Sequence, residues 1–187
     1  MRIYKVIADV NSYQGFSVED SNVWQGDMLT FDGSSKESAW SPPDVYISHP
    51  TLKRGNFFNL CPGALMLDAT AMALLQSLLE MSGELLPLNH KGESYSVLNV
   101  TNCENVLNEE ESKWIVGKTT GARIRIEKYV FRRSRLTESP LFKVPETCKV
   151  EIFTVEGLKD PEDEFKYNVE HHGLKGLLFE EVWNSDA

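Results

Sequence analysis

The chain has 187 residues, of which 41% are hydrophobic and 25% charged: enough apolar material for one well-cored domain, with no apolar run near the ~18 residues of a membrane span. A formal net charge of −9 opposes attachment to a phosphate backbone, so neither nucleic acid nor membrane is an expected partner. The opening MRIYKVIADV lacks the apolar length and cleavage site of a signal peptide. Cys61, Cys103 and Cys148 are widely spaced with no CxxC pair, so a reducing, cytoplasmic setting with buried, unpaired thiols is expected.

In chain order, residues 2–8 (RIYKVIA) read as an opening strand, Asn11-Ser12 as a turn and residues 13–20 as a second strand. Glycine, serine and proline dominate from Gly26 to Pro43. That composition predicts a loop with one short strand at Met28–Phe31, pinned to the core by Trp24 and Trp40. A short strand at Asp44–Ser48 follows, and then an apolar segment from Phe57 that enters a turn at Cys61-Pro62-Gly63. Asp68 is placed to cap a helix over 68–82, whose Ala71, Leu74, Leu75 and Leu78 share one face; Met72 and Leu79 widen that face and Gly83 ends it. Leu85–Leu88 and Tyr95–Val100 read as paired strands joined by a turn-rich stretch. Residues 104–113 are a polar, acidic loop, and Trp114–Val116 is a short strand. Ala122–Phe131 is a longer strand whose apolar parity slips between Ile126 and Tyr129, the mark of a bulge.

The C-terminal stretch has the clearest pattern, a strand–helix–strand unit. Residues 150–155 alternate as a strand. Asp160 is positioned as N-cap, Pro161 as first helical residue, and Glu162, Asp163 and Glu164 load the first turn with the charge that the helix dipole favours. Phe165, Val169 and His172 share a face of a helix over 161–172, with Gly173 as its left-handed C-cap, and residues 177–183 form the last strand. If the two strands are parallel neighbours, their crossover is right-handed. The tally is α+β: one domain over 1–187, mostly short strands, and two main helices at 68–82 and 161–172.

No residue pattern for catalysis, cofactor binding or metal ligation emerges. His171 and His172 are adjacent and point apart on a helix, and His49 and His90 have no partner at a ligand spacing. Glycine-rich phosphate loops and a GxSxG elbow are missing from the sequence, and no base neighbours the cysteines. A binding protein is therefore expected in preference to an enzyme. Charge is unevenly placed: residues 151–187 hold ten acids against three lysines, while residues 123–135 hold six basic residues against one acid. The basic run interleaves with Tyr129 and Phe131 as in a nucleic-acid stripe, but in so acidic a chain it is expected to pair with the chain's own acids or an acidic partner. The runs Glu109-Glu110-Glu111 and Glu162-Asp163-Glu164 read as solvated faces free to bind a partner. Glu180-Glu181 lies mid-strand, so one of the pair approaches the core unless that strand is an exposed edge.

Six stretches, taken together and in order, resemble a known bacterial family. They are GNFFNLCPGALML at 55–67, GELLPL at 83–88, SVLNVTN at 96–102, LFKVPET at 141–147, TVEGLKDPEDEF at 154–165 and HGLKGLLFEEVW at 172–183. The series is similar to the eleventh class of polymorphic-toxin immunity proteins, long catalogued as a domain of unknown function. The likeness spans nearly the whole chain. It implies a cytoplasmic inhibitor, encoded beside a secreted toxin, that binds and neutralises that toxin's effector domain, often a nuclease, and protects the producing cell. It brings no catalytic residues. The toxin-binding candidates therefore come from charge alone: Glu109, Glu110, Glu111, Glu162, Asp163, Glu164, Glu180 and Glu181. A secretion-system adaptor and a small enzyme with an unrecognised site are the alternatives.

Overall fold

The apolar run at the N-terminus forms strand β1 (Arg2–Ala8), and its position decides the topology. The structure, a computed structural model, describes residues 1–186 without the side chains of Trp24 and Gln25, so the pinning role expected of Trp24 lies outside the described residues. The strands that follow are β2 (Phe16–Val18), β3 (Val45–Ile47), β4 (Phe57–Phe58) and β5 (Ala64–Asp68). Helices α1 (Ala69–Leu74) and α2 (Gln76–Ser82) lead into β6 (Gly83–His90) and β7 (Glu93–Val100). Then come β8 (Lys113–Val116), β9 (Arg123–Lys128), β10 (Ile152–Glu156), α3 (Phe165–His171) and β11 (Leu177–Asn184). The fold is α+β, with every strand pairing in its sheets antiparallel.

One sheet has the order β10-β1-β11. The C-terminal strands are therefore parallel to each other but are not neighbours, since β1 lies between them. The reason is burial. The sheet is covered on both faces, and β1 supplies apolar residues to both: Val6 packs with Ile152 and Phe165, while Ile3 packs with Phe153 and Val155. A strand buried on both sides is best used at the centre.

A second sheet has the order β4-β5-β7-β6. Strand β5 was not expected, because Leu65, Met66 and Leu67 are all buried and leave no alternation to read. The β6–β7 hairpin closes on Lys91 and Gly92, both at positive φ (45° and 78°), a tighter turn than the turn-rich stretch suggested. The helical face of this sheet shares a core with the first sheet through Leu65, Leu98, Ala71 and Val169. Its other face packs on β2, β3 and the 26–43 loop through Phe16, Phe31 and Met66. In that loop a 3-10 turn at Asp27–Leu29 replaces the strand expected over 28–31, and Trp40 is held by donating Nε1 to the Pro87 carbonyl at 2.8 Å.

The helix expected over 68–82 is broken at Leu75 (φ −113°, ψ 12°). Its cap is as expected, with the Ala71 amide donating to Asp68 Oδ1 at 2.9 Å. Ala71, Leu75, Leu78 and Leu79 are buried as expected, whereas Leu74, a predicted stripe residue next to the break, is 44% exposed. Gly83 is needed for close approach, since a Cβ there would lie 1.9 Å from the Asn99 carbonyl oxygen. Gly173 is left-handed (φ 65°) as expected, but α3 starts only at Phe165, with residues 161–163 in a separate 3-10 turn. Of the thiols, Cys61 is buried while Cys103 and Cys148 are exposed, which corrects the expectation that all three are interior.

Candidate interaction surfaces

The acidic surface centres on the turn from Gly157 to Glu164. Glu164, one of the predicted binding carboxylates, is only 5% exposed. Its Oε1 accepts from the amides of Gly157 and Leu158, both at 2.8 Å, and so closes the loop between β10 and α3. Asn168 Nδ2 clamps the other side by donating to the carbonyls of Glu162 (2.7 Å) and Glu164 (2.8 Å). Glu164 is thus a structural residue, because backbone amides in a tight turn need an acceptor that the turn itself cannot supply. Asp160 makes no capping bond. Together with Glu162 and Asp163 it is exposed, and none of the three forms an ion pair among the described residues.

Glu180 and Glu181 sit on β11, an edge strand of its sheet, and both are exposed. A bulge follows them: Ile3 faces Trp183 and Tyr4 faces Glu181, leaving Val182 without an opposite residue. Glu181 lies 3.7 Å from Arg2 at the margin of an internal network. Within that network Tyr4 donates to Glu156 at 3.0 Å, and Lys166 bridges Glu156 (2.8 Å) and Glu170 (3.2 Å) with its ammonium 4.9 Å from the Tyr4 ring. Burial works against the charged Glu156, but the hydrogen bonds from Lys166 and Tyr4 outweigh it and hold the carboxyl below its ordinary range.

The basic surface is the ribbon formed by β8 and β9, a sheet of two strands only. Its register skips Glu127 between Ile126 and Lys128, where the apolar parity slips, and also skips Ile124. The expectation that its cations pair with the chain's own acids is met at one place. Arg123 is bonded to Glu109 and lies over the Trp114 ring at 4.6 Å. Lys113, Lys118, Arg125, Lys128, Arg133 and Arg135 form no ion pair within 4.0 Å among the described residues. Glu110 and Glu111, at the foot of the ribbon, are likewise exposed and without such a partner.

Beside β9 runs a groove of about 490 Å³, with Arg123–Ile126 on one side and Glu146, Cys148 and Val150 on the other. Two residues of its lining each bury a polar atom, Trp114 Nε1 and Glu146 Oε2, that has no hydrogen-bond partner among the described residues. Burial pushes the Glu146 carboxyl up from its ordinary value. The far wall turns through Cys148 (φ 53°) and Lys149 (φ 56°), two consecutive left-handed residues that are not glycine, each costing roughly 1–3 kcal/mol. The base is fixed by Glu151, which accepts from Tyr129 and pairs with Lys5, both at 2.5 Å. Burial and that carboxylate push the Tyr129 phenol up.

The sequence pattern missed Trp114, Glu146 and Cys148 as groove residues. A lone tryptophan after an acidic loop was the one available signal, and nothing local marks Glu146. The histidines do not converge: His171 and His172 are exposed, with His171 stacked on Tyr167 at 5.5 Å, while His90 is buried against the Val45 carbonyl at 2.6 Å. Among the described residues no group of three or more His, Cys, Asp or Glu side chains is arranged to hold a metal, and no helix is long and apolar enough to cross a membrane. The chain matches no protein-family model and no curated protein.

Proposed function

We propose that this protein is an immunity protein, a cytoplasmic inhibitor that binds a cognate secreted bacterial toxin and neutralises it by contact, without catalysis. The resemblance of six ordered motifs motivates the reading. The structural observation that supports it best is the turn at Gly157–Glu164, where buried Glu164 together with Asn168 holds the backbone while Asp160, Glu162 and Asp163 are exposed and form no ion pair among the described residues. Carboxylates held this way lose little conformational freedom when a partner docks. A toxin with a basic, phosphate-handling cleft is the complementary surface, and the charges would speed its capture and sharpen pairing.

The deciding experiment co-expresses this chain with the C-terminal domain encoded in the adjacent reading frame. Rescue of growth and co-purification are expected. In stopped-flow mixing, the Glu162→Lys/Asp163→Lys double variant should associate about ten-fold more slowly at low salt and with a shallower salt dependence. Failure of the chain to protect cells from that domain would overturn the proposal. Unaltered association kinetics would move the contact off this turn.

A further inference from the structure

A polar cleft at the tip of the β6–β7 hairpin is built by three segments that are distant in sequence. The Glu19 amide, just past β2, donates to the Asp44 carbonyl at 2.9 Å. Asp44, just before β3, lies opposite Asn89 near the end of β6, and the Asn89 amide donates to the Pro43 carbonyl at 3.0 Å. The cleft, of about 430 Å³, gathers Glu19, Asp44, His90 and Glu93, with the buried Val45 and Leu88 in the same lining.

His90 gives the cleft its chemistry. It is 6% exposed, and its Nδ1 lies 2.6 Å from the Val45 carbonyl. A carbonyl oxygen only accepts, so in the neutral ring Nδ1 carries the proton and Nε2 keeps a bare lone pair. Nε2 has no hydrogen-bond partner among the described residues, yet it is not sealed from solvent as Trp114 Nε1 and Glu146 Oε2 are. Since His90 lines the cleft, that lone pair opens into it. Glu19 and Asp44 add carboxylates that are exposed and form no ion pair within 4.0 Å among the described residues. Glu93 is already engaged, by Arg54 at 2.6 Å and by the Tyr95 hydroxyl at 3.0 Å. Lys91 is the one cation in the lining, and it pairs with neither Glu19 nor Asp44.

We infer that this cleft receives the guanidinium of an arginine side chain presented by a partner protein. A guanidinium offers donors and no acceptor, and it is planar and less strongly hydrated than an ammonium. It therefore suits acceptors spread around a partly apolar cleft. A metal ion draws its ligands to about 2 Å, and among the described residues no three His, Cys, Asp or Glu side chains are arranged to hold one. An anionic ligand would meet the carboxylates of Glu19 and Asp44 with like charge. The rim residues Lys91, Gly92 and Glu93 are exposed at the hairpin tip, so a side chain projecting from a partner reaches the cleft directly. The inference stands on this cleft alone and holds whatever the acidic turn binds.

The test titrates the isotope-labelled full chain and follows its nitrogen resonances by NMR. The probes are capped Gly-Arg-Gly, capped Gly-Lys-Gly and millimolar guanidinium chloride, all at matched ionic strength. The arginine peptide should shift His90 Nε2 and the Gly92 amide while the amides of Gly157 and Leu158 stay in place. The lysine peptide should bind about three-fold more weakly or worse. Glu19→Gln and Asp44→Asn should each weaken arginine binding about three-fold, and the double variant about ten-fold. Both positions are exposed, so the variants should keep the parent's circular dichroism. Glu162→Lys/Asp163→Lys, a larger change in net charge made elsewhere, should bind the arginine peptide as the parent does. A silent His90 Nε2, equal affinity for the lysine peptide, or a Glu19/Asp44 double variant that binds as the parent does would each overturn the inference. So would tighter binding of the free guanidinium ion than of the arginine peptide, which would make the ligand a small molecule.

Discussion

The turn at Gly157–Glu164 and the β8–β9 ribbon carry opposite charge and are held in opposite ways. In the turn, the backbone is satisfied from within: Glu164 accepts two amides, Asn168 serves two carbonyls, and only the outer carboxylates face water. The ribbon has one pairing for two strands, two register skips, a free edge and two orphaned polar atoms beside it. A two-stranded sheet is marginal by itself. This one rests on Ile126 and Trp114 packed over Tyr129, Phe131 and Phe153. The difference teaches that two charged surfaces of one chain can be built in opposite ways. The turn is closed on itself and presents charge, whereas the ribbon is a sheet of two strands whose support comes from the core beneath it.

The largest expected effect tests the foundation of the ribbon. Lys143 is fully buried between Phe142 and Val144, which lie in the ribbon's core, and it donates Nζ to the Phe31 carbonyl at 2.8 Å. Burial lowers its pKa from 10.5 to about 8. At Lys143 the folded chain therefore binds fewer protons than the unfolded chain between those values, so the Lys143 contribution to stability, read as wild type minus Lys143→Met, is flat below about 8 and rises through that window. The rise should reach about 3 kcal/mol in urea titrations, and Lys143→Met should remove it. A wild-type-minus-variant difference that falls over that window would contradict the assignment.

Next in size, Glu164→Ala should cost about 2 kcal/mol by leaving two turn amides without their acceptor. Hydrogen exchange at Gly157 and Leu158 should accelerate while β9 amides exchange as before. Equal acceleration in both regions would mean that turn and ribbon are one cooperative unit, and the contrast between them would fail. Tyr129→Phe removes the hydrogen bond to Glu151 under the ribbon and should cost about 1 kcal/mol, read as a shifted urea midpoint with an unchanged slope. Smallest of all, Glu162→Lys/Asp163→Lys should change stability by less than about 0.5 kcal/mol, because neither side chain has an ion-pair partner to lose among the described residues. A larger loss would show these carboxylates to be structural, like Glu164.

Local chemistry written in consecutive residues was legible in the sequence. The opening strand, the Asp68 cap, the left-handed Gly173 and the slip in β9 all follow from short-range rules of capping, parity and backbone conformation, and each is found where those rules place it. The α+β class was legible for the same reason, and so was the uneven charge along the chain. What tertiary structure alone decided is who meets whom across long stretches of chain. It set β1 between β10 and β11, sank Glu164 while leaving Glu162 and Asp163 in water, and broke the helix at Leu75. It also brought Glu146 to Trp114 across a groove that no spacing in the sequence foretells. Capping and alternation act over a few residues. Burial and partnering depend on surfaces folded together from distant segments, and that is the physical reason a row of identical carboxylates divides into one that builds the turn and others that face outward.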